Sequence, residues 1–214
     1  MRTLYILTSA AILACGATIA NADDTSSKSY ALDGFTGVKA SAGISVTFEQ
    51  AQDYSVVASF KDANEDDVKI RMEGDVLKIS YRNGTGENKR RRKVEVAVTG
   101  PNLELARATS GASLRVGLVT VSDIKLKSDS GGSLRISGTC NAALGKVSSG
   151  GSVNAKDLQC KSVEAKASSG GSFRGHASDY GKGHASSGGA IAIYGEPTTQ
   201  KKNKSWSGGA VSFP

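Results

Sequence analysis

Six serines recur at a regular step along the second half of the chain, each in a Ser-Gly motif. Their steps are 20, 19, 20, 18 and 20 residues, at Ser110, Ser130, Ser149, Ser169, Ser187 and Ser207. A nucleophilic serine needs a base within hydrogen-bond reach and an acid that orients this base. The chain has only 2 histidines, and no repeat serine lies in a Gly-x-Ser-x-Gly elbow. We therefore predict no catalytic residues and no enzymatic activity.

Metal binding is an equally weak explanation of the repeat. Calcium-binding solenoids place an aspartate in each turn, whereas only one copy here, with Asp129, has a carboxylate before the repeat serine. His176 and His184 have no cysteine or third histidine beside them to complete a metal site. No phosphate-binding glycine loop with its lysine occurs either. The sequence therefore predicts no metal and no cofactor.

Basic residues around the repeat are the better indication of function. Arg115, Arg135 and Arg174 stand five residues after a repeat serine, between apolar residues that alternate along a short strand. Side chains of a strand alternate between its two faces, so we expect the arginines to point outward in one column. Further positive charge comes from Lys125, Lys127, Lys146, Lys156, Lys161 and Lys166.

Two interpretations of this charge remain open. An outward row of cations can hold anionic polysaccharide or lipopolysaccharide phosphates, and the candidate residues are then Arg115, Arg135, Arg174, Lys125 and Lys127. The alternative is a solvated face whose charges discourage aggregation. The basic run from Lys89 to Lys93 is interpreted as a solvated hairpin loop. Because no aromatic residues for base stacking are interleaved with this run, we predict no nucleic-acid partner.

The elements that must position these residues are short strands. After each Ser-Gly corner the apolar residues alternate, as Leu114 and Val116 do, and this alternation indicates a strand. A second apolar cluster follows about fourteen residues after the serine in successive repeats. Its members are Ile124, Leu126, Leu144, Val147, Val163 and Ala165, so we predict at least two short strands in each repeat.

A repeat of this length is too short for a propeller blade and fits one coil of a solenoid. We therefore predict an all-β fold in which residues 101–214 form a right-handed parallel β-helix with ~20-residue coils. A less regular, β-rich part over residues 30–100 precedes it. A meander or sandwich with hairpin turns is the alternative. In a solenoid the Ser-Gly-Gly corners stack on each other, and glycine supplies a positive φ there without steric cost.

The cysteines provide a test of this architecture. Cys140 lies ten residues after Ser130, and Cys160 lies eleven after Ser149, so both fall at nearly the same coil position. Neighbouring coils would bring their Cα atoms within the ~4.4–6.8 Å range of a disulfide, and exported proteins meet an oxidising compartment. We therefore predict a Cys140–Cys160 disulfide. Two stacked thiols in the core are the alternative.

The first 22 residues have the pattern of an export signal. A positive start precedes an apolar stretch that is too short, and too diluted with small residues, to span a membrane. We predict cleavage between Ala22 and Asp23, followed by a flexible start over residues 23–29. The product is expected in the periplasm, on the outer surface or in the medium, with no transmembrane segment. A lipid on Cys15 is the less favoured alternative.

Several segments, in order along the mature chain, resemble the GIN-domain family, which is known as the putative autotransporter adhesin head. They are Phe35–Val38, Gly43–Val46, Gly74–Ile79, Val94–Val98 and the stretch from Leu105 to Ser113. The resemblance covers nearly the whole mature chain. It implies an exported bacterial protein with a β-helical fold and an adhesin role, and it supplies no catalytic residues.

Three functions can be compared on this basis. The first is a non-enzymatic envelope or secreted protein, adhesin-like, whose β-helical surface binds anionic glycans or other surface ligands. The second is a structural envelope module that holds protein partners. The third, a carbohydrate-active enzyme, requires carboxylates clustered in one groove, whereas the repeat half has only 7 acidic residues, and these are scattered. We favour the first.

Overall fold

The computed structural model describes residues 25–61, 63–82, 93–204 and 208–214. Several features predicted from sequence lie outside these ranges. They are the export signal over residues 1–22, the cleavage site at Ala22–Asp23, the lipid site at Cys15, basic residues 89–92 and the last repeat serine, Ser207.

Fifteen strands and one short 3-10 turn, Glu65–Asp67, are the regular elements of the described residues. The strands are β1 (Thr25–Ser29), β2 (Gly37–Ser41), β3 (Ser45–Gln50), β4 (Ser55–Lys61), β5 (Val68–Glu73), β6 (Val76–Tyr81), β7 (Lys93–Gly100), β8 (Leu105–Thr109), β9 (Ser113–Asp129), β10 (Ser133–Val147), β11 (Ser152–Ala167), β12 (Ser172–Ala185), β13 (Ala190–Tyr194), β14 (Thr199–Lys204) and β15 (Ala210–Ser212). All of them belong to one hydrogen-bonded sheet. None of the described segments is a helix with the length and apolarity that crossing a membrane requires.

Strands β9 to β12 each supply most of one coil, and they pair side by side in parallel. The pairing stacks equivalent residues of successive coils, for example Leu114, Leu134, Val153 and Phe173. Strands β13, β14 and β15 continue the same stacking. The prediction of an all-β solenoid with ~20-residue coils is confirmed.

The N-terminal part is joined to the solenoid and shares its core. Strand β3 pairs in parallel with β9, and β2 pairs in parallel with β8, so the coils begin before residue 101. Beyond them, β4 is antiparallel to β7 and β5 is antiparallel to β6. One hydrophobic core runs through both parts. The boundary at residue 100 therefore separates a less regular stretch from a more regular one within one structure.

The flexible start predicted for residues 23–29 is wrong for most of that segment. Thr25–Ser29 form β1, which is antiparallel to β4 and pairs with residues 57–61. Residues 26–29 are exposed, so the segment has no buried apolar face. Because its strand is held by backbone pairing at the edge of the sheet, no alternation in the sequence indicates it.

A two-residue turn forms the corner between successive coils. Ser130 has φ 52° and Gly131 has φ 72°, and the Gly132 N–H donates to the Asp129 carbonyl at 3.0 Å. Two consecutive positive φ angles with this bond define a type I′ turn. The Gly131 N–H donates to the Ser149 carbonyl of the next coil at 3.1 Å. The corner serine therefore takes the left-handed conformation as well, which we had expected of glycine alone.

Contact between backbones explains the second glycine of the Ser-Gly-Gly motif. A Cβ atom added to Gly132 would lie 2.3 Å from the Ala108 carbonyl oxygen in the preceding coil. Real Cβ atoms do not approach other atoms so closely, so no other residue fits without displacing a coil. The same position in later coils is held by Gly151, Gly171, Gly189 and Gly209, where an added Cβ would lie within 2.8 Å of backbone atoms.

Large and small residues complement each other inside the coils. The ring of Phe173 fills the space beside Gly145 and Gly175, where an added Cβ would lie 2.3 Å and 2.8 Å from ring atoms. Phe173 is fully buried. The Phe173 ring therefore fills space left by one glycine of its own strand, Gly175, and by one glycine of β10, Gly145.

Leu144 points outward, unlike Ile124, which stands the same number of residues after the corner serine of the preceding repeat. The register pairs Ala143 with Ile124, and it pairs Leu144 with Lys125. The shift arises because β9 contains one extra residue, Gly117, that has no partner in β10. As a result, 50% of the Leu144 surface is exposed.

The predicted Cys140–Cys160 disulfide is confirmed. The two residues are register partners in β10 and β11, with Cα atoms 4.5 Å apart. They are separated by 20 positions in the sequence. The bond therefore links two successive coils covalently.

Two neighbouring glycines allow the backbone contact to be tested. Gly132→Ala should lower the free energy of unfolding by about 3 kcal/mol or more, because the new methyl group collides with the preceding coil. Gly131→Ala should cost only about 1 kcal/mol, since its positive φ is strained for alanine but nothing lies within reach of the methyl group. Urea unfolding of the oxidised protein measures both. Equal losses for the two variants would contradict the stacking described here.

Candidate anionic-ligand surface

Basic residues on six neighbouring strands form one outward row, which we call the lysine column. From β6 to β11 its members are Lys78, Lys39, Arg107, Lys127, Lys146 and Lys166. His184 of β12 takes the next rung. Neighbouring strands lie ~4.8 Å apart. The cations therefore form a closely spaced row that follows the solenoid axis.

The corner turn determines where the lysine column falls in each coil. In β9 the residues on either side of Lys127, which are Leu126 and Ser128, are buried. The lysine side chain must therefore point to solvent. Because every corner has the same geometry, the residue three positions before the corner serine is outward in each coil. This position is held by Arg107, Lys127, Lys146 and Lys166.

Acidic residues neutralise only part of the lysine column. Arg107 donates to Asp129 at 2.9 Å, and Lys78 contacts Glu73. The other four members have no ion-pair partner within residues 25–61, 63–82, 93–204 and 208–214. They are Lys39, Lys127, Lys146 and Lys166. An unpaired row of this kind gives the face a positive potential.

Crowding of like charges is evident at the β6 end of the column. Burial and, after it, the positive charges of Lys39, Arg71 and Arg107 lower the pKa of Lys78 below its ordinary value of 10.5. Lys39 and Arg107 thus disfavour the charged form of their neighbour Lys78. A bound anion would relieve this repulsion, so the column is suited to an anionic ligand.

The three candidate arginines lie in a second row, the arginine column. Arg115 and Arg135 are register partners, Asn154 takes the next rung, and Arg174 follows it. All three arginines are exposed, and none has an ion-pair partner in the part of the chain that the structure describes. Asn154 interrupts the charge, so only the first two arginines are adjacent.

The candidate lysines and arginines lie on different faces. Lys127 precedes the corner at Ser130 and Arg135 follows it, and a type I′ turn reverses the chain direction between them. The inward neighbours of these two residues, Leu126 and Leu134, are both buried in the same core. The candidates from sequence are therefore divided between two surfaces, and the lysine surface carries the longer row of cations.

Sequence reasoning did not select three members of the lysine column, Lys39, Lys78 and Arg107. Arg107 has a recognisable signal, since it stands three residues before Ser110. Lys39 stands three residues before Ala42, which has φ 60° and so takes the corner conformation without a serine. Lys78 has no such corner and is placed only by the pairing of β6 with β2.

The two histidines lie in different columns. His176 pairs in register with Gln159, whereas His184 pairs with Lys166. Among the residues whose placement is described, no group of three His, Cys, Asp or Glu side chains is arranged to hold a metal ion. The structure therefore does not bring the histidines together into one site.

Asp129 joins the lysine column to the corner turn. Its carboxylate accepts hydrogen bonds from Arg107, at 2.9 Å, and from Thr109 of the preceding coil. Burial opposes its ionisation, but the hydrogen bonds from Thr109 and Arg107 and the charge of Arg107 together lower the pKa of Asp129 below 3.8. Asp129 is therefore a charged cross-link between two coils at neutral pH.

The chain is similar to one family of proteins and to solved structures. The family model described as "Putative auto-transporter adhesin, head GIN domain" matches residues 34–197. A crystal structure of a putative adhesin from Bacteroides fragilis NCTC 9343 superimposes with a TM-score of 0.70 at 15% identity, over 89% of this chain and 97% of that chain. A putative adhesin from Parabacteroides distasonis ATCC 8503 gives a TM-score of 0.48 at 18% identity, over 90% and 98%. No curated protein matches the chain.

Asp129→Asn should lower the free energy of unfolding at pH 7 by about 1 kcal/mol, because the charged bonds to Arg107 and Thr109 are lost. The folded-state pKa of Asp129 is below its ordinary value of 3.8, so this stabilisation is complete above that value and is lost as the pH falls through the folded pKa. Urea unfolding at pH 7 and at roughly pH 2.5 measures the change.

The matched control is Asp157→Asn, since Asp157 is exposed and makes no ion pair in the described part of the chain. It should leave stability unchanged at both pH values. A loss for Asp129→Asn that is as large in acid as at neutral pH would show that the carboxylate is not the stabilising group.

Proposed function

The chain belongs to the family described as putative auto-transporter adhesin, head GIN domain, and on this premise we propose that it is an adhesin-like, non-enzymatic bacterial envelope protein. Its ligand is an anionic polymer of a cell surface, an acidic polysaccharide or the phosphorylated saccharide of lipopolysaccharide. The observation that carries the proposal is the lysine column, with four ammonium groups that have no ion-pair partner in the described residues.

The geometry of the column favours an extended ligand. Its members face solvent on one side of the solenoid, and their row runs across successive coils at ~4.8 Å intervals. A small anion would contact one or two rungs, whereas a polymer lying along the axis would contact every rung. Charge interactions spread over many exposed groups are individually weak and are screened by salt. Binding should therefore depend on the length of the ligand and on ionic strength.

The arginine column supplies a second surface of the same kind. Arg115 and Arg135 are adjacent and exposed, and guanidinium groups bind carboxylates and phosphates through paired hydrogen bonds. Arg174 extends this surface beyond Asn154. Lys125 belongs to the face of the lysine column. We assign these residues, with Lys127, to ligand binding as part of the proposal.

Export to the periplasm, the outer surface or the medium is the location that fits this function. The proposal takes residues 1–22 as a cleaved signal. The Cys140–Cys160 disulfide supports it, because disulfides persist in oxidising compartments. Anionic surface polymers are present in the same compartments.

Binding to immobilised polygalacturonate, with neutral dextran as the reference polymer, tests the proposal. Wild-type protein should bind polygalacturonate at roughly 0.1 M salt and release it at roughly 1 M, where charges beyond ~3 Å are screened. The triple variant Lys127→Gln, Lys146→Gln, Lys166→Gln should bind at least about tenfold more weakly, because three adjacent cations are removed.

A charge-matched control removes Lys69, Lys156 and Lys161, which lie outside both columns, and it should retain binding. Equal weakening by the two triple variants would show that total charge, and not the column, governs retention. Binding to a protein partner that salt does not affect, with none to polygalacturonate, would instead favour a structural envelope module.

A further inference from the structure

A second outward row lies beside the lysine column on the same face. Its rungs on β8 to β12 are Leu105, Lys125, Leu144, Glu164 and Lys182. Leu144 is the unusual member, because half of its surface is exposed and both of its neighbours in the row, Lys125 and Glu164, are charged. Exposed single apolar residues are common on proteins. Here, however, the leucine lies within a group of lysines.

Four lysines surround Leu144 and line a shallow cleft of about 260 Å³ with it. Lys125 is its register partner in β9, and Lys146 follows it by two residues on the same face of β10. Lys127 and Lys166 are the register partners of Lys146 on either side. The cleft is completed by Gly145 and Glu164. An apolar side chain therefore lies within a group of four ammonium groups.

The one acidic residue of the cleft is already neutralised. Glu164 accepts a hydrogen bond from Lys182 at 2.8 Å, and this bond together with the charge of Glu164 raises the pKa of Lys182. None of the four cleft lysines has an ion-pair partner among the residues that the structure describes. The cleft therefore has an uncompensated positive charge together with an exposed apolar surface.

The combination of positive charge and an exposed apolar surface favours a ligand with two chemical parts. A purely ionic ligand would leave the Leu144 surface in water, and a neutral lipid would leave four charges without a partner. A phosphate that carries an apolar chain satisfies both parts. Anionic lipid surfaces attract lysines at about 1 kcal/mol for each residue near the surface, and a small apolar side chain adds affinity by entering the interfacial region.

We propose that this face docks on a membrane surface of anionic lipid. One lipid phosphate lies in the cleft between Lys125, Lys127, Lys146 and Lys166, and the apolar chain of that lipid begins against Leu144. This proposal rests on the proposed function, since three of these lysines belong to the lysine column. It extends that function by assigning a lipid headgroup as a ligand of the same face. The lysine column then faces the membrane.

Vesicle binding by the full, oxidised protein tests the proposal. Phosphatidylcholine vesicles with roughly 30% phosphatidylglycerol should bind the protein, and pure phosphatidylcholine vesicles should not. Leu144→Ser should weaken binding to the anionic vesicles by about fivefold, because a half-exposed leucine can no longer bury its surface. Leu144→Met should retain binding, since the apolar surface is kept. Retention on polygalacturonate should be the same for all of these proteins.

Leu118→Ser is the matched control, because Leu118 is 82% exposed and lies outside the cleft. It should leave vesicle binding unchanged. Unchanged binding by Leu144→Ser, no binding to anionic vesicles, or displacement of the protein by soluble glycerol phosphate would each overturn the lipid proposal.

Failure of the proposed function has a different signature. If polygalacturonate is not retained while anionic vesicles still bind and Leu144→Ser weakens this binding, the polymer-binding function is wrong and the lipid site stands. If polygalacturonate is retained and Leu144→Ser has no effect on vesicle binding, the lipid site is wrong and the polymer-binding function stands.

Discussion

The close contact of backbone with backbone at each corner is the constraint on which the remaining structure depends. Gly132 and its equivalents approach the preceding coil so closely that no side chain fits between them. The corner glycine and serine then join successive coils through an N–H to carbonyl bond. The glycine contacts repeat from Gly132 onward, whereas Ala112 holds the same position at the corner of Ser110, and together with the N–H to carbonyl bonds they fix the register. Every outward position after or before a corner is thereby aligned with its counterpart in the next coil.

Alignment of identical positions has an electrostatic cost. Like charges directly opposite each other in a sheet are destabilising. At Lys78 the charges of Lys39, Arg71 and Arg107 add to burial, the larger cause, in lowering the pKa. The structure tolerates the lysine column because the coils are held by backbone bonds, by the disulfide and by Asp129. The rigid backbone holds the cations in a row before any ligand binds, so the lysine column is preorganised for an anionic ligand. The repulsion between the cations is already present in the free protein.

The regular part of the fold could be predicted because its signal is local. The step of the corner serines indicates the coil, and the alternation around Arg115 indicates which side chains face outward. Leu144 differs from Ile124 because its coil is one residue shorter, with no partner for Gly117 of β9. The step of 19 residues between Ser130 and Ser149 records this change, since Leu144 and Lys125 each stand five residues before a corner serine. β1 was missed because backbone pairing alone holds it. Lys39 and Lys78 could not be joined to the lysine column, since they come from strands that are far apart in sequence.

The distance between Lys39 and Lys166 tests most directly whether coil stacking builds the lysine column. The two residues are 127 positions apart in the chain, yet the register separates them by four rungs. Spin labels at Lys39→Cys and Lys166→Cys, with Cys15→Ser and the native disulfide intact, report this distance by pulsed electron resonance. Stacked coils should give a single narrow distribution near about 19 Å, four strand spacings. A broad distribution, or a peak well beyond this distance, would contradict this stacking.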